Sequence, residues 1–367
     1  MSRPALAKRA QRLYRDAVVV DAHNDVVTKV LDDGYDLDVR HPAGFGPGEG
    51  QTDLPRLVES GITAQFLAAW VDAPYALERP GAAFARALRY FDAIDDFVGR
   101  HPDRLVLGTD AASVRRAKRE GRLAIFVGVE GGHAIEGSLD RLRELRRRGA
   151  RYLTLTWNNG NDWAGSSIGV GDTRTGGLTD FGRDVVRELE RLGMLVDLSH
   201  VSDETFDDAL AVASGPVVVT HSCAQALCDH PRNLTDDQLR AVAGSGGVVG
   251  VNFYARFLDR AFLAAAVGRG AAAAAAAAVA DSPPLPVVPL ARLAEHVEHV
   301  ARVAGVDHVA LGSDFDGVSA LPAGMEDVTC LPRLAELLLE RGFGDDDLRK
   351  FLGENMLRVM DAAFSGA

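Results

Sequence analysis

The sequence predicts a (β/α)8 barrel, or TIM barrel, as one domain that spans residues 1–367. Three observations lead to this fold: eight short apolar segments, amphipathic helical segments between most of them, and ionisable residues directly after several of them. The apolar segments are nearly continuous rather than alternating, as expected for parallel strands covered on both faces. A length of 367 residues is normal for an α/β barrel that carries insertions.

Apolar segments and helical segments alternate along the chain, as in a barrel built from repeated strand and helix pairs. The predicted strands are Val18–His23, Thr63–Trp70, Leu123–Glu130, Tyr152–Trp157, Met194–His200, Val217–His221, Val248–Tyr254 and His308–Asp314. Leu105–Gly108 is a candidate for a further strand. The clearest predicted helices are Leu139–Arg148, Phe181–Leu192, Asp203–Ala213, Thr235–Ala243 and Leu290–Ala304.

The predicted helices have suitable ends. Ser202 and Thr235 stand where a hydroxyl would cap a helix that begins with acidic residues. Gly193 and Gly305 stand where helices should end before a strand. An alanine-dominated stretch within residues 264–284 offers little to pack. It is either a surface insertion or a mobile lid or partner contact beside the site.

Composition restricts the partners and the location. The net charge of −12 argues against a nucleic-acid partner. No window of about 18 strongly apolar residues predicts a membrane span. Three cysteines give no disulfide framework and fit a reducing compartment. The beginning of the chain has no apolar region that resembles a signal peptide, so we expect a cytoplasmic protein.

Ionisable residues stand at the carboxyl ends of five predicted strands, where barrel enzymes carry their reactive groups. His23 and Asp25 are two residues apart, so in a strand both side chains point to one face. The residues at these ends are His23 and Asp25 on the first strand, Glu130 on the third, His200 on the fifth, His221 on the sixth, and Asp314 and Asp316 on the eighth.

Each of these residues also has an ordinary structural interpretation. His23 and Asp25 can form a turn or a core hydrogen bond, His200 and His221 can be structural or capping histidines, and Glu130 can accept from backbone amides. Asp314 can fix the loop that follows it. The joint pattern favours a metal site, because several buried ionisable groups at one rim would repel one another or stay unsatisfied without a cation.

The number of ligands favours two metal ions. Three histidines and two carboxylates exceed the three protein ligands of an open catalytic zinc site. A bridging carboxylate would hold two ions roughly 3.5–4 Å apart with a hydroxide between them. We expect two Zn²⁺, with Glu130 as the bridge. His23 and Asp25 would hold one ion, and His200 and His221 the other.

Motifs along almost the whole chain resemble those of the membrane (renal) dipeptidase family, the M19 metallopeptidases, within the amidohydrolase-like barrels. They stand in the family's order. The motifs are Asp21-Ala-His-Asn-Asp25, Gly128-Val-Glu-Gly-Gly-His133, Tyr152-Leu-Thr-Leu-Thr156, Asp197-Leu-Ser-His200, Thr220-His-Ser222, His230-Pro-Arg-Asn233, Gly250-Val-Asn-Phe-Tyr254, Gly312-Ser-Asp-Phe-Asp-Gly317 and Gly353-Glu-Asn-Met-Leu-Arg358.

The resemblance implies a barrel of the metal-dependent hydrolase type and a role for each matching residue. It makes His23, Asp25, Glu130, His200 and His221 the ligands of two zinc ions, with Glu130 bridging. By the same resemblance, Asp314 handles the proton of the attacking water, Arg232 binds the substrate carboxylate, and Tyr254 lines the pocket. A surface position for Arg232 is the alternative, and His133 is interpreted as a neighbour of the ligands rather than a ligand. The resemblance also suggests a homodimer.

The chain departs from the family pattern at Trp157. In the characterised dipeptidases a histidine follows the Leu-Thr-Leu-Thr strand and helps hold the scissile carbonyl. Indole donates a hydrogen bond but cannot be protonated to the same effect. Asn158, Asn159 or Asn161 would then donate to the carbonyl oxygen, or a metal ion alone would hold it. Trp157 can also be a packing residue.

These observations predict a zinc-dependent dipeptidase that cleaves small dipeptides with a free C-terminal carboxylate. A related binuclear amidohydrolase for N-acyl amino acids or another small amide or lactone is the first alternative, and Trp157 favours it. A non-catalytic metal-binding protein is the second alternative. The complete ligand set together with Asp314 argues against it.

Overall fold

The computed structural model describes residues 3–169, 176–268 and 284–364. Its sheet is entirely parallel, and eight of its strands close into a ring in the order β1-β2-β4-β5-β6-β7-β8-β9. The strands are β1 Val20–Asp21, β2 Ala64–Trp70, β3 Leu105–Leu107, β4 Leu123–Glu130, β5 Ala150–Thr154, β6 Leu195–Asp197, β7 Val218–Ser222, β8 Val248–Val251 and β9 Val309–Leu311. The predicted (β/α)8 barrel is confirmed.

The candidate strand at residues 105–108 exists but lies outside the ring. It is β3, and it pairs with the first three residues of β4. The ring neighbour β5 pairs with β4 only from Val127 onward. β3 therefore extends the sheet beside the amino-terminal end of β4, away from the carboxyl rim.

Several strands are shorter than the apolar pattern predicts. The first was expected to cover Val18–His23, whereas β1 comprises Val20 and Asp21 only. After the single register pair with β9, the Asp21 side chain holds the two segments together, since its Oδ1 accepts from Ser313 N at 2.8 Å. An isolated bridge between Asn24 and Phe315 then continues the pairing of the two segments.

Helices cover the outside of the ring. They are α1 Arg3–Asp16, α2 Val26–Asp33, α3 Leu54–Ser60, α4 Pro74–Leu77, α5 Ala82–Arg100, α6 Ala111–Glu120, α7 Leu139–Arg148, α8 Asp180–Arg191, α9 Asp203–Val212, α10 Asp236–Gly244, α11 Ala255–Leu258, α12 Arg260–Gly268, α13 Leu290–Ala304, α14 Leu331–Glu340, α15 Asp345–Arg349 and α16 Asn355–Phe364. Short 3₁₀ segments occupy Gly132–Ile135, Val306–His308 and Val328–Cys330, and a π-helical turn occupies Lys350–Glu354.

The five clearest predicted helices correspond to α7, α8, α9, α10 and α13 within two residues at each end. The capping predictions also hold. Ser202 Oγ accepts from Thr205 N at 3.2 Å, and Thr235 forms a capping box with Gln238. Gly305 follows α13 with a φ of 96°, a conformation that favours glycine.

Large side chains fill the lower interior of the barrel. The rings of Phe66 and Phe126 stack with centroids 4.8 Å apart, and Tyr152 stacks on Phe66 at 5.6 Å. Gly128 has no room for a side chain, because a Cβ there would overlap the Tyr152 ring. This closed interior is a packed core, so the barrel has room for a site at the carboxyl rim above it.

Most of the alanine-rich stretch lies in residues 269–283, outside the described residues. The helix before it, α12, ends at Gly268. None of the helices within the described ranges has the length and apolar character needed to cross a membrane.

Candidate metal centre

Five side chains converge at the carboxyl rim around Glu130, and they come from β4, β7 and the segments after β1 and β6. The Oε1 atom of Glu130 is 2.9 Å from His200 Nε2 and 3.5 Å from His221 Nε2. Its Oε2 atom is 3.4 Å from His23 Nε2, and the same nitrogen is 3.2 Å from Asp25 Oδ2. The two oxygens of one carboxylate thus face two different groups of ligands, as a bridge between two ions requires.

Two groups of atoms have the spacing of a metal site. His23, Glu130 and His221 form the first group, and His23, Asp25 and Asp314 form the second, with ligand atoms within 4.8 Å of one another in each. The five residues of these two groups, His23, Asp25, Glu130, His221 and Asp314, are all buried. Nitrogen and carboxylate donors in such sets suit a divalent ion of zinc type.

The ordinary interpretations of the acidic residues do not match their contacts. Asp25 occupies the N-cap position of α2, but its carboxylate makes no capping hydrogen bond. The carboxylate of Glu130 accepts no backbone amide within the described part of the chain, and imidazoles surround it instead. Both carboxylates are therefore directed at the cluster rather than at the backbone.

The hydrogen bonds behind the histidines point their Nε2 atoms at the cluster. Asn158 Oδ1 lies 3.1 Å from His200 Nδ1, and an amide oxygen can only accept, so Nδ1 carries the proton. Thr220 Oγ1 donates to Asp197 Oδ2 at 2.7 Å and lies 2.8 Å from His221 Nδ1. The free electron pair of each imidazole is then on Nε2, where a metal would bind.

His23 is held from below by Tyr152, whose hydroxyl is 2.8 Å from His23 Nδ1. The opposite nitrogen, Nε2, is fully buried and has no hydrogen-bond partner among the described residues. A buried nitrogen that lies between two carboxylates without an aligned hydrogen bond fits a metal ligand. The donor set therefore fits the expected metal.

Electrostatics keeps two of the imidazoles neutral. Burial, with a smaller contribution from Arg232, lowers the pKa of His200 to about 3. Burial, followed by the charge of His23, lowers the pKa of His221 well below its ordinary value. Burial raises the pKa of Glu130, but the neighbouring histidines outweigh it and the net pKa is well below the usual range. Neutral imidazoles beside an ionised carboxylate are in the state that binds metals.

The side of the cluster that contains His23, Asp25 and Asp314 has more acidic than basic groups. Burial lowers the pKa of His23, but Tyr152, Glu130 and Asp25 outweigh it and the net pKa is raised. Burial and then the charge of Asp25 raise the pKa of Asp314 well above its ordinary range. Protons on these groups balance charges that a divalent ion would balance in their place.

Backbone strain coincides with the site. His200, Asp314 and Asp316 have positive φ angles of 69°, 61° and 65°, a region that non-glycine residues rarely adopt. Such strain is retained where surrounding contacts enforce it, and it is concentrated at functional sites. Asp316 itself points away from the cluster, since its Oδ1 accepts from Gln51 N at 2.9 Å.

Asp314 lies at the rim beside the ligands rather than in the loop below them. Asn252, after β8, donates from Nδ2 to Asp314 Oδ2 at 2.7 Å. The Asp314 carboxylate also lies near Asp25 and His23, with which it forms the second group of possible ligands. This position is within reach of a water or substrate atom at the cluster.

Arg232 is a buried cation beside the cluster, not a surface arginine. Its Nη1 donates to Ser222 Oγ at 3.2 Å and its Nη2 donates to His221 O at 3.1 Å. Its Nε is buried and, within the described residues, unpaired. Burial lowers the pKa of Arg232 to about 10, so the side chain is charged at pH 7. A buried guanidinium with an unfilled donor is suited to a carboxylate.

The remaining predicted residues surround the opening. Asn158 orients His200, as described above. Asn161 is engaged with its own loop, since its Nδ2 donates to Leu155 O at 2.9 Å and its Oδ1 accepts from Trp163 N at 3.1 Å. The half-buried Tyr254 places its hydroxyl 3.2 Å from Ser319 Oγ. Direct substrate contacts of these three residues stay predictions.

His133 lies next to the site but faces away from it. Its Nε2 donates to Val71 O at 2.9 Å, and its Nδ1 is 3.4 Å from Asn159 Nδ2. Burial lowers the pKa of His133 to about 4. It fixes the loop after β4 to the end of β2, in agreement with its interpretation as a neighbour of the ligands.

Sequence reasoning assigned no role to the residues that hold the ligands in place. Tyr152, Asp197 and Asn252 stand behind His23, His221 and Asp314, respectively. All three belong to motifs quoted for other reasons, and their apolar surroundings in the sequence gave no reason to single them out. The one available signal is position, because Tyr152 and Asp197 lie within β5 and β6, and Asn252 directly follows β8.

Comparison with known proteins identifies the family of the chain. The family model described as membrane dipeptidase (Peptidase family M19) matches residues 7–365. A solved structure described as a dipeptidase and metallopeptidase of family M19 is 29% identical, with a TM-score of 0.79 over 96% of this chain and 99% of that one. A metallopeptidase from Rhodobacter sphaeroides, liganded with a phosphinate mimic of L-Ala-D-Ala, is 28% identical, with a TM-score of 0.78 over 95% and 100%.

A third solved structure shows a similar fold at lower identity. It is described as the probable dipeptidase PvdM from Pseudomonas aeruginosa. It is 22% identical and covers 99% of this chain and 100% of its own, with a TM-score of 0.84.

Proposed function

From the premise that the chain belongs to the membrane dipeptidase family, peptidase family M19, and is a hydrolase of peptide bonds, we propose that it cleaves small dipeptides with a free C-terminal carboxylate and uses two zinc ions. The observation that carries this proposal is the Glu130 carboxylate, whose two oxygens face two different sets of ligand atoms. That arrangement supports a binuclear centre.

His23 and Asp25 would hold one ion, His200 and His221 the other, and Glu130 both. When bound, two zinc ions lower the pKa of a shared water towards neutrality and polarise an amide carbonyl. The chain's own contribution is a set of imidazoles whose Nδ1 atoms are already engaged, so that ligation needs no reorientation.

Asp314 is the group that moves the proton. It accepts a proton from the attacking water and returns it to the nitrogen of the leaving amine. Asn252 holds one of its oxygens through a 2.7 Å hydrogen bond, which leaves the other oxygen facing the cluster. The raised pKa of Asp314 favours proton uptake, and ions bound beside it would lower that pKa again.

Arg232 supplies the substrate's anchor. The unpaired Nε lies on a buried side chain that already donates through both of its other nitrogens. A substrate carboxylate would satisfy that donor and neutralise the buried charge. Bonds of this kind fix the scissile amide relative to the cluster, and such orientation lowers the barrier.

A second candidate activity is hydrolysis of N-acyl amino acids by the same centre. The observation that favours it is Trp157, whose indole lies near His200 with ring centroids 6.4 Å apart, where the family has a histidine. Both candidate substrates end in a carboxylate that Arg232 would bind. They differ only in whether the acyl side carries an amine.

The test is a substrate panel for the zinc-loaded protein, with a chelator-treated control. L-Xaa-L-Xaa and L-Xaa-D-Xaa dipeptides are compared with N-acetyl amino acids, the D series because the Rhodobacter sphaeroides enzyme was liganded with a mimic of L-Ala-D-Ala. Metal-dependent release of both amino acids supports the dipeptidase. Turnover of the N-acyl series alone supports the second candidate, and no turnover with two bound metals argues against both.

We further propose that the protein acts as a cytoplasmic homodimer, as the sequence and the resemblance suggest. Light scattering coupled to gel filtration should give twice the chain mass of 39.1 kDa. A mass of one chain at micromolar concentration would contradict the dimer.

A further inference from the structure

One sector of the rim carries tryptophans among the ionisable groups. Trp70 ends β2, and its register partner on β4 is Glu130, so both side chains lie on the inner face of the barrel. The indole of Trp157 packs edge-on against Trp70, with centroids 5.0 Å apart and ring planes at 72°. Trp157 also lies beside His200. Trp70 and Trp157, here called the tryptophan wall, therefore line the opening next to the metal ligands.

The tryptophan wall has an unfilled hydrogen-bonding group. The Trp70 Nε1 atom is buried and, among the described residues, has no hydrogen-bond partner. Indole donates but cannot accept, so only an acceptor such as a carbonyl oxygen can satisfy it. A buried donor without a partner is unfavourable in the free protein, and a ligand that supplies the acceptor removes that cost.

The topology places Trp70 opposite the carboxylate anchor, whereas Trp157 follows β5, two strands from β7. In the closed ring, β2 and β7 are separated by four steps in either direction. Trp70 ends β2, whereas Arg232 bonds to the carbonyl of His221 and the hydroxyl of Ser222 at the end of β7. The ligand cluster lies between them. A dipeptide anchored through its carboxylate at Arg232, with its amide at the cluster, directs its other end towards Trp70, against which Trp157 packs.

We propose that the tryptophan wall is the subsite for the acyl side of the substrate and that it selects large apolar groups, aromatic ones above all. This proposal deepens the proposed function and rests on it, because Arg232 is taken as the anchor of the other end. The physical basis is that aromatic rings pack favourably edge-to-face on indole. An imidazole at position 157 would present a smaller and more polar surface.

The first measurement is kcat/KM of the zinc-loaded enzyme for Gly-Ala, Leu-Ala and Phe-Ala, which share one leaving group. We expect Phe-Ala to exceed Gly-Ala by about ten- to a hundredfold, mainly through KM, as is typical of apolar subsites. Trp157→Ala and Trp70→Ala should each reduce that ratio about tenfold. A ratio measured within one variant is independent of the fraction of protein that folds.

Trp163→Phe is the matched control, because Trp163 is a buried tryptophan that packs against Phe181 at 6.3 Å and is not part of the wall. It should leave the ratio unchanged. The same Phe-Ala to Gly-Ala ratio in wild type, Trp157→Ala and Trp70→Ala would overturn the proposal, and so would a preference for Gly-Ala in wild type.

A binding measurement separates this proposal from the proposed function. Asp314→Asn, loaded with zinc, removes the proton-transfer group, and binding of Phe-Ala and Gly-Ala is followed by tryptophan fluorescence. If wild type cleaves no dipeptide but Phe-Ala binds at least tenfold more tightly, the subsite stands and the dipeptidase assignment falls. If dipeptides are cleaved and the two ligands bind equally, the dipeptidase assignment stands and the subsite falls.

Discussion

Two kinds of buried carboxylate lie within one barrel, and their partners distinguish them. Asp197 accepts from Thr154 Oγ1, Ser199 N and Thr220 N at 2.6, 3.0 and 2.9 Å. Glu130 and Asp25, one layer higher, face imidazole nitrogens instead. The lower acid is satisfied by the protein, whereas the upper acids require a cation or protons. Burial alone therefore does not identify a reactive acid.

The largest expected effect comes from removing the shared acid. Glu130→Ala should release both metal ions together and reduce kcat/KM by more than about 10⁴-fold, because the bridge and the metal chemistry are lost at once. Metal content per chain, measured by elemental analysis on folded protein, checks this. An unchanged metal content in the variant would contradict the bridging role.

The second effect concerns an acid that borders the cluster without bridging it. Asp314→Asn should keep both ions while kcat falls about 10²–10⁴-fold, the range of a lost proton-transfer group. The variant is measured beside Asp237→Asn, a change at a side chain that is almost fully exposed. A loss of metal equal to that of Glu130→Ala would make Asp314 a ligand rather than the proton-transfer group.

The third effect tests the buried cation. Dipeptides amidated at the C-terminus should react with a kcat/KM about 10- to 100-fold lower than the free acids, because a charge-assisted hydrogen bond to Arg232 is lost. In Arg232→Gln the two substrate forms should react alike. Equal rates for both forms in wild type would exclude a carboxylate clamp.

The smallest effect is expected at the satisfied acid. Asp197→Asn should destabilise the fold by about 2–3 kcal/mol, since hydroxyl donors of Thr154 and Thr220 lose their acceptor. Metal affinity should fall about 10- to 100-fold through His221, with two ions still bound at saturating zinc. Thermal unfolding and a zinc titration give both numbers. Loss of one whole site at saturation would place Asp197 with the upper acids.

The difference between the two kinds of carboxylate also shows what the sequence could predict and what it could not. The barrel and the rim positions of His23, Glu130, His200 and His221 follow from apolar segments that end in ionisable residues, because parallel strands bring their carboxyl ends together. The sequence singled out Asp25 through its spacing from His23, but it did not show that Asp21 and Asp197, which also stand in quoted motifs, are satisfied by other parts of the protein. Their difference depends on which hydroxyls and amides reach them, and those groups come from other strands.

The tryptophan wall also depends on a contact between strands that the sequence does not show. Trp157 was noticed as a departure from the family, yet nothing in the sequence connected it with Trp70. The contact between them requires β2 and β5 to flank β4 in the ring. The positive φ angles at His200 and Asp314 likewise follow from no local pattern, since most histidines and aspartates have negative φ.

The most direct test of the proposed binuclear dipeptidase is a stoichiometric titration of metal-free protein with zinc, in which dipeptide hydrolysis is measured at each step. We predict that activity is absent without metal and reaches its plateau at two zinc ions per chain. Full activity at one ion per chain, or no hydrolysis of any dipeptide by protein that carries two, would contradict it.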